Sequence, residues 1–162
     1  MSVAQGLDAG QLRRAFGAYP TGVAAVAATL DGVPTGLAAS SFTSISLDPP
    51  LVSVSIAHSS TTWPRLRTAE RLGVSVLGAH QEVAARQLAD RNIDRFAALS
   101  WRETADGAVL IDSASAWLDC SIEQEIAAGD HSLVLLRVHA LGYDPSIEPL
   151  VFHASQYRRL EI

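Results

Sequence analysis

Residues 116–126 alternate without a break. Ala116, Leu118, Cys120, Ile122, Gln124 and Ile126 fall on one side, and Trp117, Asp119, Ser121, Glu123 and Glu125 on the other. A period of two over that length predicts a long, half-exposed β-strand, with the second set toward solvent. Such a strand needs a partner, and residues 132–143 are expected to supply it across a turn at Gly129-Asp130-His131. Shorter strand-like runs fill most of the remaining chain. Residues 23–29 are small and apolar and lead into an Asp31-Gly32 hairpin turn. A Ser-, Thr- and Ala-rich run over 36–47 stops at Asp48-Pro49-Pro50, and residues 51–57 alternate again. Residues 73–77, 150–153 and 156–160 read as further short strands.

Helical signals are few. Asp8 followed by Gln11 is a capping pattern, with Leu12 and Phe16 at i, i+4, so a short helix is expected over 8–19. Pro64 is suited to the first turn of a second helix beginning near 61–63, and a third spans roughly 81–90. Many strands with few short helices predict a mainly β, antiparallel barrel rather than βαβ units. At 162 residues a single domain, 1–162, is expected.

Several functions are excluded by what is missing. No G-x-G occurs, so neither a dinucleotide fingerprint nor a phosphate-binding P-loop is present, and there is no G-x-S-x-G. His58, His80, His131, His139 and His153 are scattered without metal-ligand spacing, and no metal is expected. Cys120 is the one cysteine, so no intramolecular disulfide forms. A net charge of −5 argues against nucleic acid or anionic lipid as main partners. The N-terminus through Asp8 lacks a signal-peptide pattern and no run is long enough to span a membrane, so a soluble, cytoplasmic protein is expected.

Three segments carry candidate chemistry. In Ala39-Ser40-Ser41-Phe42-Thr43-Ser44-Ile45-Ser46, five of eight residues bear hydroxyls. The segment is either a sheet edge whose hydroxyls bond backbone, or a wall of small residues against which a flat polar ring lies. Ser59-Ser60-Thr61-Thr62 precedes the proline-started helix, as simple N-capping or as a phosphate site. Gly129-Asp130-His131 is turn chemistry plus a titratable group that a turn does not require. Asp94-Arg95-Phe96 reads locally as a solvated charge pair beside an anchoring aromatic.

In this order the segments resemble the short-chain flavin reductase family, FMN-binding split-barrel proteins that supply reduced flavin to separate monooxygenases. The resemblance runs from Phe16 to Leu160. It is carried by Tyr19-Pro20-Thr21-Gly22-Val23, Ser40-Ser41-Phe42-Thr43-Ser44, Ser46-Leu47-Asp48-Pro49-Pro50-Leu51-Val52 and Ser59-Ser60-Thr61. Val74-Ser75-Val76-Leu77, Arg95-Phe96, Trp117-Leu118-Asp119-Cys120, Gly129-Asp130-His131 and Tyr157-Arg158-Arg159-Leu160 complete it. It implies an antiparallel split β-barrel of Greek-key type and an NAD(P)H:flavin oxidoreductase using FMN or FAD with NADH or NADPH. It also implies a homodimer and a monooxygenase partner.

Under the resemblance Ala38, Ala39, Ser40, Ser41, Phe42, Thr43 and Ser44 line the flavin ring. Ser59, Ser60 and Thr61 hold its phosphate, and Ser75 lies near the flavin tail. Arg95 and Phe96 border the mouth, His131 meets the nicotinamide, and Tyr157 helps close the pocket. Ala38 stands where many relatives have Thr, Ser40 where many have Asn, and Thr61 where some have a basic residue. Those differences imply modest flavin affinity or free exchange. The alternative functions are a flavin- or haem-binding barrel without turnover, and a barrel that only assists a partner.

Overall fold

The computed structural model describes residues 6–161. Met1 to Gln5, part of the segment read for a leader, lie outside the described residues. Helix α1 (Ala9–Gly17) starts as its sequence predicts: Asp8 accepts from the Gln11 N–H and the Gln11 side chain reaches back to Asp8. It is followed by β1 (Thr21–Gly22), β2 (Ala24–Leu30), β3 (Val33–Ala39), β4 (Thr43–Leu47) and β5 (Pro50–Ala57), then α2 (Trp63–Leu66) and β6 (Leu72–Val76). A 3₁₀ turn at Ala79–Gln81 runs into α3 (Glu82–Ala89). The rest is β7 (Trp101–Glu103), β8 (Val109–Ile111), β9 (Ala116–Ala128), β10 (His131–Tyr143), β11 (Val151–His153) and β12 (Gln156–Arg158).

Seven strands form one antiparallel sheet in the order β3-β2-β6-β9-β10-β5-β4. The long β9–β10 hairpin is its spine, joined from His131↔Ala128 to Tyr143↔Ala116 with two bulges. The run over 36–47 is not one strand. It leaves the sheet after Ala39 and re-enters at Thr43, so β3 and β4 sit at opposite ends of the strand order. The sheet therefore curls but does not close by hydrogen bonding between its two outer strands, which is a split barrel.

Two apolar layers follow from this. On one face Val26, Leu37, Val54, Leu72, Val74, Val134 and Leu136 pack together with Trp63 and Leu66 of α2. On the other face of β2, Ala25 and Ala27 meet Leu77, Ala85 and Leu88, with Phe96, Val109 and Ile111. Because β2 is covered on both sides, Ala24 to Ala28 are all at most 1% exposed. That double burial accounts for its run of small side chains, since larger ones would push the layers apart. The alternation read in β9 fails at Asp119, which was placed on the solvent side. It is buried, and Arg71 pairs with it at 3.3 Å.

The α2 end is tied to the spine through one carboxylate. Trp63 Nε1–H donates to Glu125 Oε1 at 2.8 Å, and Arg67 donates to Oε2 at 2.6 Å. Arg67's hydrogen bond holds the Glu125 carboxyl below its usual range, with the Trp63 bond adding to it. Among the described residues no helix is long and apolar enough to cross a membrane.

Candidate functional site

A cleft of about 340 Å³ opens where the barrel is split, between the end of β3 and the end of β5. Its formation can be read from one hydroxyl. β5 pairs with β4 only as far as Thr43↔Ser53, so Ser55 has no strand partner on that side. Ser41 Oγ takes the partner's place: it donates to the Ser55 carbonyl at 3.0 Å and accepts from the Ser55 N–H at 2.9 Å. This clasp satisfies buried backbone without a strand and lets residues 38–40 pass by as a wall of small side chains. The hydroxyl-rich segment is thus both things its sequence allowed, a backbone-bonding edge and a wall.

Arg95 fixes the wall from behind. Its Nη1 donates to the Gly36 carbonyl at 2.9 Å and to Thr62 Oγ1 at 3.0 Å, and its Nε donates to the Asp90 carbonyl at 2.9 Å. One guanidinium therefore joins β3, the loop before α2 and the loop after α3. Burial lowers its pKa, helped by the positive charge of Arg91.

Ser60, Thr61 and Thr62 line the same cleft. Ser60 Oγ accepts from the Trp63 N–H at 3.1 Å, so one hydroxyl of the group is a cap. Because α2 has four residues, a helix dipole adds nothing of note here. His131 lines the cleft from β10, beside Ala57 of β5, with Nδ1 bonded to Asp130 Oδ1 at 2.7 Å. That bond keeps the Asp130 carboxyl below its usual range. An ionised Asp130 accepts, so Nδ1 carries the proton, and Nε2 has no partner among the described residues.

An adjoining hollow shares Ala38, Ala39, Ser40 and Ala89 with the cleft and adds Val23, Phe152 and Tyr157. The Tyr157 and Phe152 rings lie 5.3 Å apart, and the Arg86 guanidinium sits 4.8 Å over the tyrosine. Burial pushes the Tyr157 hydroxyl's pKa up.

The structure thus brings together Ala38, Ala39, Ser40, Ser41, Ser60, Thr61, Arg95, His131 and, next door, Tyr157. Six residues expected at the site do not line the cleft. Ser75 is fully buried in β6, where its hydroxyl accepts from the Ile111 N–H at 2.9 Å and ties β6 to β8. Phe96 is 8% exposed and stacks edge-on against Trp101 in the core. Phe42 packs partly into the barrel interior, and Thr43 and Ser44 lie exposed on β4. Ser59 is exposed and outside the cleft lining. Sequence reading missed Ser55, Leu88 and Arg91, which reach the cleft only through the fold. Arg91 alone left a local trace, as the second arginine four residues before Arg95.

The donor set fits a flavin: small side chains beside exposed backbone, hydroxyls and arginines at one end, and no Asp or Glu among the lining residues. Comparisons with known proteins agree. The family described as "Flavin reductase like domain" matches residues 16–161. A Rhizobium meliloti (strain 1021) protein named "Probable flavin reductase" is 42% identical over 138 residues, which are 85% of this chain and 44% of that one, so the chain spans less than half of that relative. The reductase subunit HsaB of a Rhodococcus jostii (strain RHA1) flavin-dependent monooxygenase is 32% identical over 98% of this chain and 81% of that protein. Among solved structures, the NADH:FAD oxidoreductase of Streptomyces globisporus C-1027 in complex with NAD and FAD fragments superposes with a TM-score of 0.90. It is 38% identical, and 98% of each chain is covered. With the sheet order, the cleft and these matches in agreement, the chain belongs to the flavin reductase-like family.

Proposed function

We propose that this protein is an NAD(P)H:flavin oxidoreductase that reduces FMN or FAD and passes reduced flavin to a separate monooxygenase. The observation that carries the reading is the cleft itself. It offers a wall of small residues, hydroxyls and arginines suited to an anion, and a histidine, with no nucleophile–base pair among the lining residues that would suggest acyl or glycosyl transfer. Its relatives add support, since one is named as a monooxygenase reductase subunit and another was solved with NAD and FAD fragments.

When bound, the flavin supplies the electron-accepting ring to which the nicotinamide's hydride passes. The protein's own work is placement. Residues 38–40 give the ring a flat support with backbone groups at its edge, where preorganised N–H donors stabilise negative charge in a dry site. Ser60 and Thr61 offer hydroxyls to a phosphate. His131, its ring oriented by Asp130, presents Nε2 to the nicotinamide side and helps hold the two rings in register. Its need for NAD(P)H, a reductant held inside cells, supports a cytoplasmic setting for the reaction.

Steady-state oxidation of NADH and NADPH, with FMN, FAD and riboflavin added in turn, tests the reading. Flavin binding without NAD(P)H consumption would favour a binding module instead. His131→Ala should lower kcat/KM for NADH about tenfold or more, equivalent to roughly 1.4 kcal/mol, while the flavin Kd changes less than about threefold. Stopped-flow reduction and flavin fluorescence titration read the two quantities. Collapse of flavin binding with normal reduction in the remaining complex would make the turn a mere support.

Two copies pair in this proposal. Phe16, Tyr19, Leu47, Leu141 and Tyr143 are each more than half exposed, and apolar surface of that extent is usually covered. Sedimentation equilibrium at micromolar concentration should give twice the 17.2 kDa chain mass, and a lone monomer there would reject pairing.

A further inference from the structure

The charges around the cleft do not balance. The chain as a whole is acidic at −5, yet Arg91 and Arg95 line the cleft with no Asp or Glu in the lining, and the carboxylate at its rim, Asp130, is paired with His131. The loop after α3 carries two acids, but both are committed to backbone. Asp90 Oδ1 accepts from the Asn92 N–H at 2.9 Å, and Asp94 Oδ1 accepts from the Phe96 N–H at 3.0 Å. Arg95 is committed as well, to two carbonyls and a threonine hydroxyl. Arg91 is different. It is exposed at the cleft, and among the described residues it makes no hydrogen bond and no ion pair.

Arg91 also stands close enough to Arg95 for its charge to lower that group's pKa. Two guanidiniums held near each other repel, Asp90 opposes this at Arg95 less than Arg91 contributes to it, and an anion between arginine and hydroxyls relieves that repulsion. Hydroxyls are at hand. Thr61 Oγ1 is unused among the described residues, and Ser60 Oγ accepts one bond and still has its proton to donate.

We infer that Arg91 is the anion-binding arm of this cleft. It grips a phosphoryl group, together with Ser60 and Thr61, and so favours phosphorylated ligands over their phosphate-free counterparts. The inference rests on the oxidoreductase reading for which ligands are meant. Both the flavin phosphate and the nicotinamide nucleotide's pyrophosphate carry the required chemistry. A planar, always-charged fork suits either.

The test uses Arg91→Gln and Arg91→Lys in the full chain. Since the side chain has no partner to lose, thermal midpoints should match the wild type. Fluorescence titration compares FMN with riboflavin. Stopped-flow reduction with riboflavin as acceptor compares NADH with 1-benzyl-1,4-dihydronicotinamide, a donor without phosphate. Arg91→Gln should weaken a phosphorylated ligand about tenfold and its phosphate-free counterpart less than about twofold, with Arg91→Lys recovering part of the loss. Loss confined to FMN assigns the grip to the flavin phosphate, and loss confined to NADH assigns it to the nucleotide pyrophosphate. Either supports the inference. Equal losses within both pairs, or none in either, overturn it while leaving the reductase reading intact. A wild type that consumes no NADH with any flavin overturns the reductase reading instead. Calorimetric titration of pyrophosphate into wild type and Arg91→Gln then still reads the anion site, and identical isotherms reject it.

Discussion

Gly73→Ala is expected to cost about 3 kcal/mol or more, enough to unfold a marginally stable domain. Gly73 lies in β6 between Ala27 of β2 and Asp119 of β9. A Cβ there would stand 1.9 Å from the Val109 carbonyl oxygen, 2.6 Å from its carbon and 2.9 Å from a Leu110 methyl. The obstruction is backbone, so no rotamer change relieves it. Nor can β8 back away cheaply. The Ile111 N–H is bonded to Ser75 on β6, the Thr29 N–H to the Gly107 carbonyl, and Val109 is fully buried. Urea unfolding followed by fluorescence should show the loss, with a thermal midpoint lower by about 6–12 °C. A variant within about 1 kcal/mol of wild type would show that β8 does not cross β6 this closely.

Arg95→Ala is expected to have the second-largest effect, on stability and flavin affinity together. Removing the guanidinium leaves the Gly36 and Asp90 carbonyls and Thr62 Oγ1 without their donor. Bonds from a charged donor are worth about 1.5–3 kcal/mol each, but three on one group do not add, and water reaches part of the site. A loss of about 2–3 kcal/mol is expected, with flavin affinity falling about tenfold or more as β3 and the 60–62 loop lose their link. Lysine should not rescue it, because one ammonium cannot reproduce a planar fork reaching three segments. Denaturant midpoints and flavin titration of both variants check this. Arg95→Lys behaving as wild type would reduce the role of Arg95 to simple charge.

What the sequence revealed and what it hid follow a physical division. The α1 cap, the Asp31-Gly32 turn and the β9–β10 hairpin are specified by neighbours in the chain, so spacing alone exposed them. The β7–β8 pair escaped because its strands have three residues each and all of Val109, Leu110 and Ile111 are buried, leaving no alternation to read. Asp119 is buried on the face expected to be open, because a period of two cannot foresee Arg71 arriving from the segment just before β6. At the site, Ala38–Ser41, Ser60, Thr61, Arg95 and His131 were legible as segments. Ser75 and Phe96 are buried away from the cleft lining, because a motif marks a stretch of chain and does not say which side chain faces the cleft. Leu88 and Arg91 reach it through the placement of α3 and the loop that follows.

The Ser41–Ser55 clasp has a consequence for how such a site tolerates change over time. The wall at 38–40 is made from the path of the backbone and presents two methyls and one hydroxyl to whatever lies against it. Its shape is therefore stored elsewhere, in Ser41 and in the Arg95 link to Gly36, which hold that path. Small residues along the wall are free to drift in identity without redrawing the surface. The selective burden falls on a few anchors whose bonds to the rest of the fold, rather than to a ligand, set the shape of the wall.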